Sequence, residues 1–181
     1  MYGLVNKALK SLIEEMAGEA MWINIMAKAD MKDVEFMSNE VYNDIITYRL
    51  VEKSAEALNL KPEEFLYLFG RHWVLKTGMK YYGSLMQAGG RNFKEFLINL
   101  PNFHNRVMLY YPNITPPEFK VKESDANQIH LYYYSVRIGL TNFVHGLIVG
   151  IADMFNQTVE VKLVNSKNEQ TDHDEFLITL V

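Results

Sequence analysis

Residues 93–137, FKEFLINLPNFHNRVMLYYPNITPPEFKVKESDANQIHLYYYSVR, begin as one kind of structure and end as another. Phe93, Phe96, Leu97, Leu100, His104 and Val107 recur at the three- and four-residue spacing of a helix with one buried face. Pro101 interrupts that stripe and predicts a kink, or a fresh helical start capped by Asn99. Pro112, Pro116 and Pro117 then break any helix. Glu118–Lys122 and Gln128–Val136 read as two strands around the Ser-Asp-Ala-Asn turn at 124–127, a hairpin.

Upstream of this switch the pattern is helical. Leu4, Val5, Ala8, Leu9, Leu12, Ile13 and Met16 predict an amphipathic helix ended by Gly18. A second, Glu19–Ala29, places Met21, Trp22, Ile25 and Met26 inward, and Asp30 to Asp33 form a loop. Val41–Leu58 and Pro62–Thr77 are two more helices, the latter opened by Pro62 with Glu63 and Glu64 in its first turn. The pair Gly89-Gly90 is the clearest breaker. Downstream, Leu140, Phe143, Val144, Leu147, Ile148, Ile151 and Phe155 restore helical period, and Thr158–Val164 and Glu175–Leu180 alternate as strands. The second half therefore reads β-β-α-β-β.

At 181 residues, 49% hydrophobic and 13% aromatic, the chain can bury a large core as one domain or as two subdomains sharing a pocket. Eighteen basic against 22 acidic residues give a net charge of −4, without the footprint of a nucleic-acid or anionic-membrane binder. A small ligand or another protein is the expected partner. The absence of cysteine excludes disulfides, thiolate-ligated haem, iron–sulfur clusters and covalent haem attachment, so His or carboxylate must hold any metal. No signal peptide or membrane-spanning run is seen, which predicts a soluble cytoplasmic protein.

Among five histidines, His104 alone lies in line with a strongly apolar helix face. An imidazole there is either a core group bonded to a carbonyl or buried water, or a metal ligand. His72, His130 and His173 have polar neighbours and read as surface residues, while His145 could face either way. In a strand, Tyr133, Ser135 and Arg137 would share a face, and their phenol, hydroxyl and guanidinium suit an anion; the alternative is an ordinary exposed face. Asp172-His173-Asp174 looks metal-like locally, but adjacent strand residues point apart, so a turn of solvated charges is the better reading. No phosphate loop, H-E-x-x-H, nucleophile elbow or carboxylate pair is present, which leaves no enzyme chemistry to assign.

Four ordered segments, MYGLVNKAL at the start, N-L-P-N-F-H at 99–104, T-P-P at 115–117 and Y-x-S-x-R at 133–137, resemble the haem nitric oxide/oxygen binding (H-NOX) family. This family includes the haem domain of soluble guanylate cyclase. The resemblance runs over residues 1–181 and implies an α+β fold. A helical distal subdomain, about 1–60, would pack on a proximal subdomain, about 61–181, carrying a four-stranded antiparallel sheet and helices, with haem b between them. It makes His104 the proximal iron ligand, and Tyr133, Ser135 and Arg137 the propionate-binding residues. Pro117 becomes the proline pressed on the haem plane, and Asp44 the carboxylate paired with Arg137. Two departures are Pro101, just before the ligand, and a spacing between Arg137 and Gly146 one residue longer than in oxygen-binding members.

Oxygen-binding members of that family use a distal tyrosine, because a hydrogen-bond donor strengthens bound dioxygen more than bound nitric oxide. The segment 138–155 has no tyrosine, and counting back from Gly146 puts Phe143 at that position, whereas counting forward from Arg137 gives Asn142. The apolar stripe favours Phe143, with Val5, Trp73 and Leu147 completing an apolar pocket. The resemblance then implies a sensor rather than an enzyme. It would bind nitric oxide and CO, exclude dioxygen, release His104 on nitric oxide binding, and signal in trans to a histidine kinase or cyclic-nucleotide signalling enzyme. Two alternatives are a dioxygen sensor using Asn142 or Trp73 as donor, and a haem-free module holding an apolar carboxylate.

Overall fold

The computed structural model describes residues 1–110, 117–125 and 127–181; Pro112, Thr115, Pro116 and the Ala126 of the hairpin turn lie outside the described residues. Helix α1 (Gly3–Ala17) buries Leu4, Ala8, Leu9, Leu12 and Ile13 and stops at Gly18, whose φ of 81° suits glycine. Met16, expected inside, is exposed because the last turn overruns the core. In α2 (Glu19–Lys28), Trp22, Ile25 and Met26 go inward and Met21 is half-buried.

Helix α3 (Asp44–Leu58) starts three residues later than the pattern suggests. Asn43 accepts the Ile45 N–H at 3.0 Å and caps the helix there, while Val41 pairs with Tyr2 in an isolated bridge. Helix α4 (Pro62–His72) opens as expected, with Glu64 accepting the Lys61 N–H at 3.1 Å. It then widens into a π-helical segment, Trp73–Gly78, and continues as α5 (Met79–Ala88), a stretch to which the sequence pattern assigns no element. Helix α6 (Phe93–Met108) is capped by Asn92, which accepts the Glu95 N–H at 2.9 Å. It passes through Pro101 without restarting, and Asn99 is no cap: its Nδ2 donates to the Gly89 carbonyl at 3.0 Å. A proline forfeits one backbone hydrogen bond, and the buried Leu97 and Leu100 before it and Val107 after it hold the helix across the gap.

Strands β1 (Glu118–Glu123), β2 (Gln128–Tyr134), β3 (Val159–Asn165) and β4 (His173–Leu180) form one sheet in the order β1-β2-β4-β3, every neighbouring pair antiparallel. The expected α+β class and strand count hold. β2 ends at Tyr134, so Ser135 and Arg137 stand in a bend rather than in the strand. That bend leads into α7 (Thr141–Met154).

Two apolar cores result. One is built from α1, α2, α3 and the Phe65, Leu66 and Phe69 face of α4; the other from the sheet's inner face, α6 and α7. Trp73 packs against both. They are joined where α4 crosses α7 with backbones touching: a Cβ on Gly70 would lie 2.0 Å from the Phe143 carbonyl oxygen, and one on Gly146 2.0 Å from that of Tyr67. Only glycine permits that approach.

Gly146→Ala should therefore cost about 3 kcal/mol, the upper end for overpacking, because rigid backbone must move on both helices. Gly83→Ala on α5, where an added methyl meets nothing within 4 Å, should be neutral or gain up to about 1 kcal/mol from helix propensity. Urea unfolding of the two variants measures the contrast, and equal midpoints would count against the crossing as a rigid contact.

Candidate functional site

Between the two cores lies a cavity of about 260 Å³. Leu4 and Val5 of α1 close it from one side, and Phe96, Leu100 and His104 of α6 from the other. The α4–α7 crossing sends Trp73 and Phe143 into it together. Phe143 stands 5.0 Å from the Phe69 ring and 6.5 Å from that of Trp73, centroid to centroid, so this wall is an aromatic cluster. Leu147, one turn further along α7, lines the same wall, whereas Asn142 does not line the cavity.

His104 is half-buried and faces this space. Among the described residues its ring has no hydrogen-bond partner; its neighbour is Phe119, edge-on at 5.4 Å. Burial alone pushes the imidazole below its ordinary pKa, which keeps it neutral with a lone pair available. Phe119 in turn lies 5.4 Å from the Tyr133 ring, so an aromatic chain runs from the histidine to the polar end of the cavity.

That polar end is made by Tyr133 and Arg137. Burial pushes the Tyr133 phenol up, against a hydrogen bond from Ser135 and the charge of Arg137. Ser135 does not itself line the cavity; its hydroxyl accepts the backbone N–H of Arg137 at 3.0 Å and shapes the bend. The convergence expected of a straight strand is thus replaced by a strand end followed by a turn. Arg137 Nε donates to Asp44 Oδ2 at 2.8 Å, joining the bend to the first turn of α3, and the Met1 ammonium donates to Asp44 Oδ1. Pro117, half-buried just before β1, completes the lining.

Sequence reasoning missed Tyr82, Phe103, Phe119 and Leu131, all of which line the cavity. Tyr82 was hidden with α5 itself. Phe119 and Leu131 carry a readable signal, the inward alternation of β1 and β2, in which Phe119 pairs with Tyr133. The surface reading of His72 fails: it is 7% exposed, 3.2 Å from the Ser11 hydroxyl, and packed where α4 meets α1. His130 and His173 are half-buried on the outer face of the sheet, bonded to Glu175 and Asp172 at 2.7 and 2.8 Å. His145 is half-buried, edge-on to Tyr67 at 5.2 Å. Among the described residues no cluster of three or more His, Asp or Glu could hold a metal ion, and no helix is long and apolar enough to cross a membrane.

The family model described as Haem-NO-binding matches residues 2–163. Soluble guanylate cyclase gcy-33 of Caenorhabditis elegans is 27% identical over 157 residues, 87% of this chain but 17% of that protein. Guanylate cyclase soluble subunit beta-2 of Rattus norvegicus is 33% identical over 122 residues, 66% of this chain and 18% of the rat protein. This chain thus spans about a fifth of the length of these relatives. Among solved structures, an H-NOX protein from S. oneidensis in the Fe(II)NO ligation state aligns with a TM-score of 0.88 at 22% identity, covering 100% of this chain and 99% of that one. A mutant H-NOX protein from K. algicida, Fe(II) and unliganded, aligns with a TM-score of 0.85 at 23% identity, covering 100% and 97%. At these identities the structural likeness establishes the fold.

The Asp44 link has a pH signature. Burial pulls its carboxyl upward, but the N-terminal ammonium and Arg137 outweigh it and hold the group below its ordinary pKa. A carboxyl depressed on folding adds stability that is present above the unfolded value of about 3.9 and is lost as pH falls through the folded one. With 35% of its side chain exposed, solvent screening leaves the ion pair worth about 1 kcal/mol. Asp44→Asn should lower stability by that amount at pH 7 and by less at pH about 3, below the unfolded value. Urea midpoints at the two pH values check both parts.

Proposed function

The chain belongs to the haem-NO-binding family, and from that premise we propose that it is a ferrous-haem sensor that binds nitric oxide and CO, excludes dioxygen and reports to a separate protein. The observation that carries this reading is the imidazole of His104, facing an apolar cavity without a hydrogen-bond partner among the described residues. The donor set suits a haem: one free imidazole, apolar walls, and a phenol and guanidinium at one end for two carboxylates. Without cysteine, attachment is non-covalent, as in haem b.

The whole of residues 1–181 serves in this reading as one haem domain, with about 1–60 on the gas side and about 61–181 on the His104 side. Bound haem supplies the iron that takes the gas. His104 on α6 would hold the iron; Tyr133 and Arg137 would hold the propionates, with Ser135 setting the bend; Pro117 would face the ring. Val5, Trp73, Phe143 and Leu147 form the wall where the gas sits, and its aromatic and aliphatic surface offers little to stabilise the charge that develops on dioxygen. Nitric oxide binding to a bound haem would loosen the hold of His104, and the Asp44–Arg137 link, which joins the bend to the first turn of α3, would carry a shift of the bend to the helical half. The output is a histidine kinase or a cyclic-nucleotide signalling enzyme acting in trans in the cytoplasm, and the chain itself is no enzyme.

A second reading rests on Trp73, which lines the cavity and whose indole N–H has no acceptor among the described residues. Aimed at the gas, that donor would favour dioxygen.

One set of spectra decides between them. The reduced protein should show an intense Soret band, lost in His104→Ala and restored by added imidazole. Nitric oxide should convert it to a five-coordinate spectrum without the histidine, and air should leave it unchanged. A spectral change in air that disappears in Trp73→Phe would instead establish the dioxygen reading. Protein without a Soret band after haem addition would overturn both and favour a haem-free module for an apolar carboxylate.

A further inference from the structure

The segment Asp172-His173-Asp174 reads from sequence as a turn of solvated charges, and for Asp172, at the exposed end of the β3–β4 turn, that is what it is. Asp174 is different: it lies within β4, directly opposite Tyr133 of β2, and is only 5% exposed. Both of its carboxylate oxygens are used. Oδ2 accepts the hydroxyl of Thr141, the first residue of α7, at 2.7 Å, and Oδ1 accepts the backbone N–H of Lys167 at 2.8 Å. The Lys167 side chain then reaches back and donates to the carbonyl of Ser135 at 2.5 Å. The β3–β4 turn, the start of α7, the middle of the sheet and the bend after Tyr134 are thereby joined outside the cavity.

We propose that Lys167, Asp174 and Thr141 form a clasp that positions the Tyr133–Arg137 bend, with Lys167 the positioning residue for carboxylate binding by that bend. The proposal rests on the carboxylate-binding reading of the bend given above. Its physical ground is the end of β2. Tyr134 is the last residue paired with β1 and with β4, so the Ser135 carbonyl has no strand partner and must find another donor. Lys167 supplies it, while the Ser135 hydroxyl is given to the Arg137 N–H. The bend is thus pinned from outside at its carbonyl and from inside at its hydroxyl.

Among the described residues lining the cavity, Arg137 is the sole lysine or arginine, and its Nε is directed at Asp44, as is the N-terminal ammonium of Met1, another lining residue. Lys167 does not line the cavity and acts on that end from outside, through the Ser135 carbonyl, by fixing the bend that carries Arg137.

Hydrogen exchange on the full chain, prepared without haem, reads the clasp independently of any cofactor. Lys167→Met should speed exchange of the amides at 135–139 about fivefold, as expected for loss of one part-exposed charge-assisted hydrogen bond, and Lys167→Arg should restore most of the protection. In the haem-loaded protein, transfer of haem to an excess of a competing apoprotein should quicken in the same order, Met well above Arg and wild type. Wild-type exchange in Lys167→Met, or Arg behaving as Met, overturns the clasp. A wild-type chain that takes up no haem overturns the haem reading, and the exchange result still decides the clasp.

Discussion

The close crossing of α4 and α7 is the constraint on which the remaining geometry depends. Backbone meets backbone at Gly70 and Gly146, and a third glycine, Gly150, carries the contact on to Val74, whose Cβ would stand 3.0 Å from an added methyl. Helices that approach this closely have little freedom to slide, since carbonyl groups rather than flexible side chains are in contact. Trp73 and Phe143 are consequently presented to one cavity wall from two different helices. The same crossing divides the molecule: Phe65, Leu66 and Phe69 precede it and belong to the first core, and Val74 follows it and belongs to the second. The cavity lies where those two cores fail to merge.

The π-helical segment begins three residues after Gly70 and continues past the contact of Val74 with Gly150. A π turn rotates the side chains that follow relative to an α-helix, and such turns concentrate at functional sites. The segment's first two residues, Trp73 and Val74, line the cavity, while His72 just before it is buried against Ser11 on the α1 side. Gly78 ends the segment against the Met86 side chain of α5. One irregular turn therefore serves the first core, the cavity and α5 in succession.

How much of this was legible depended on whether the controlling interaction was local. The α1 stripe, its stop at Gly18, the Pro62 start and the four strands are written in short-range pattern, and the structure has them. Where a side chain competed locally, boundaries moved: Asn43 caps α3 and displaces its start from Val41. α5 was missed because it follows the π-helical segment and ends at the Gly89-Gly90 break, with one fully buried residue, Met86. The extra residue per turn of the π segment is likewise invisible to a search for helical period. At the site, the Tyr133, Ser135 and Arg137 triplet was found by assuming a straight strand. Tyr133 and Arg137 do meet at the cavity, but through a bend whose shape comes from a serine hydroxyl and from a lysine 32 residues away. No period in the sequence encodes that contact, and the burial of Asp174 was misjudged for the same reason.

The histidines show what long-range context adds to such a reading. His72, His130 and His173 each have a polar partner, and His145 packs its ring edge-on against Tyr67 without lining the cavity. His104 is the histidine that faces the cavity, and among the described residues it has ring contact alone. A leucine at this position on α6 would fill the apolar stripe without placing polar atoms beside the cavity. The chain instead keeps an imidazole whose burial favours the neutral, ligating form. A core histidine bonded to a carbonyl accounts for neither the missing partner nor the space in front of the ring, whereas the iron ligation proposed above accounts for both.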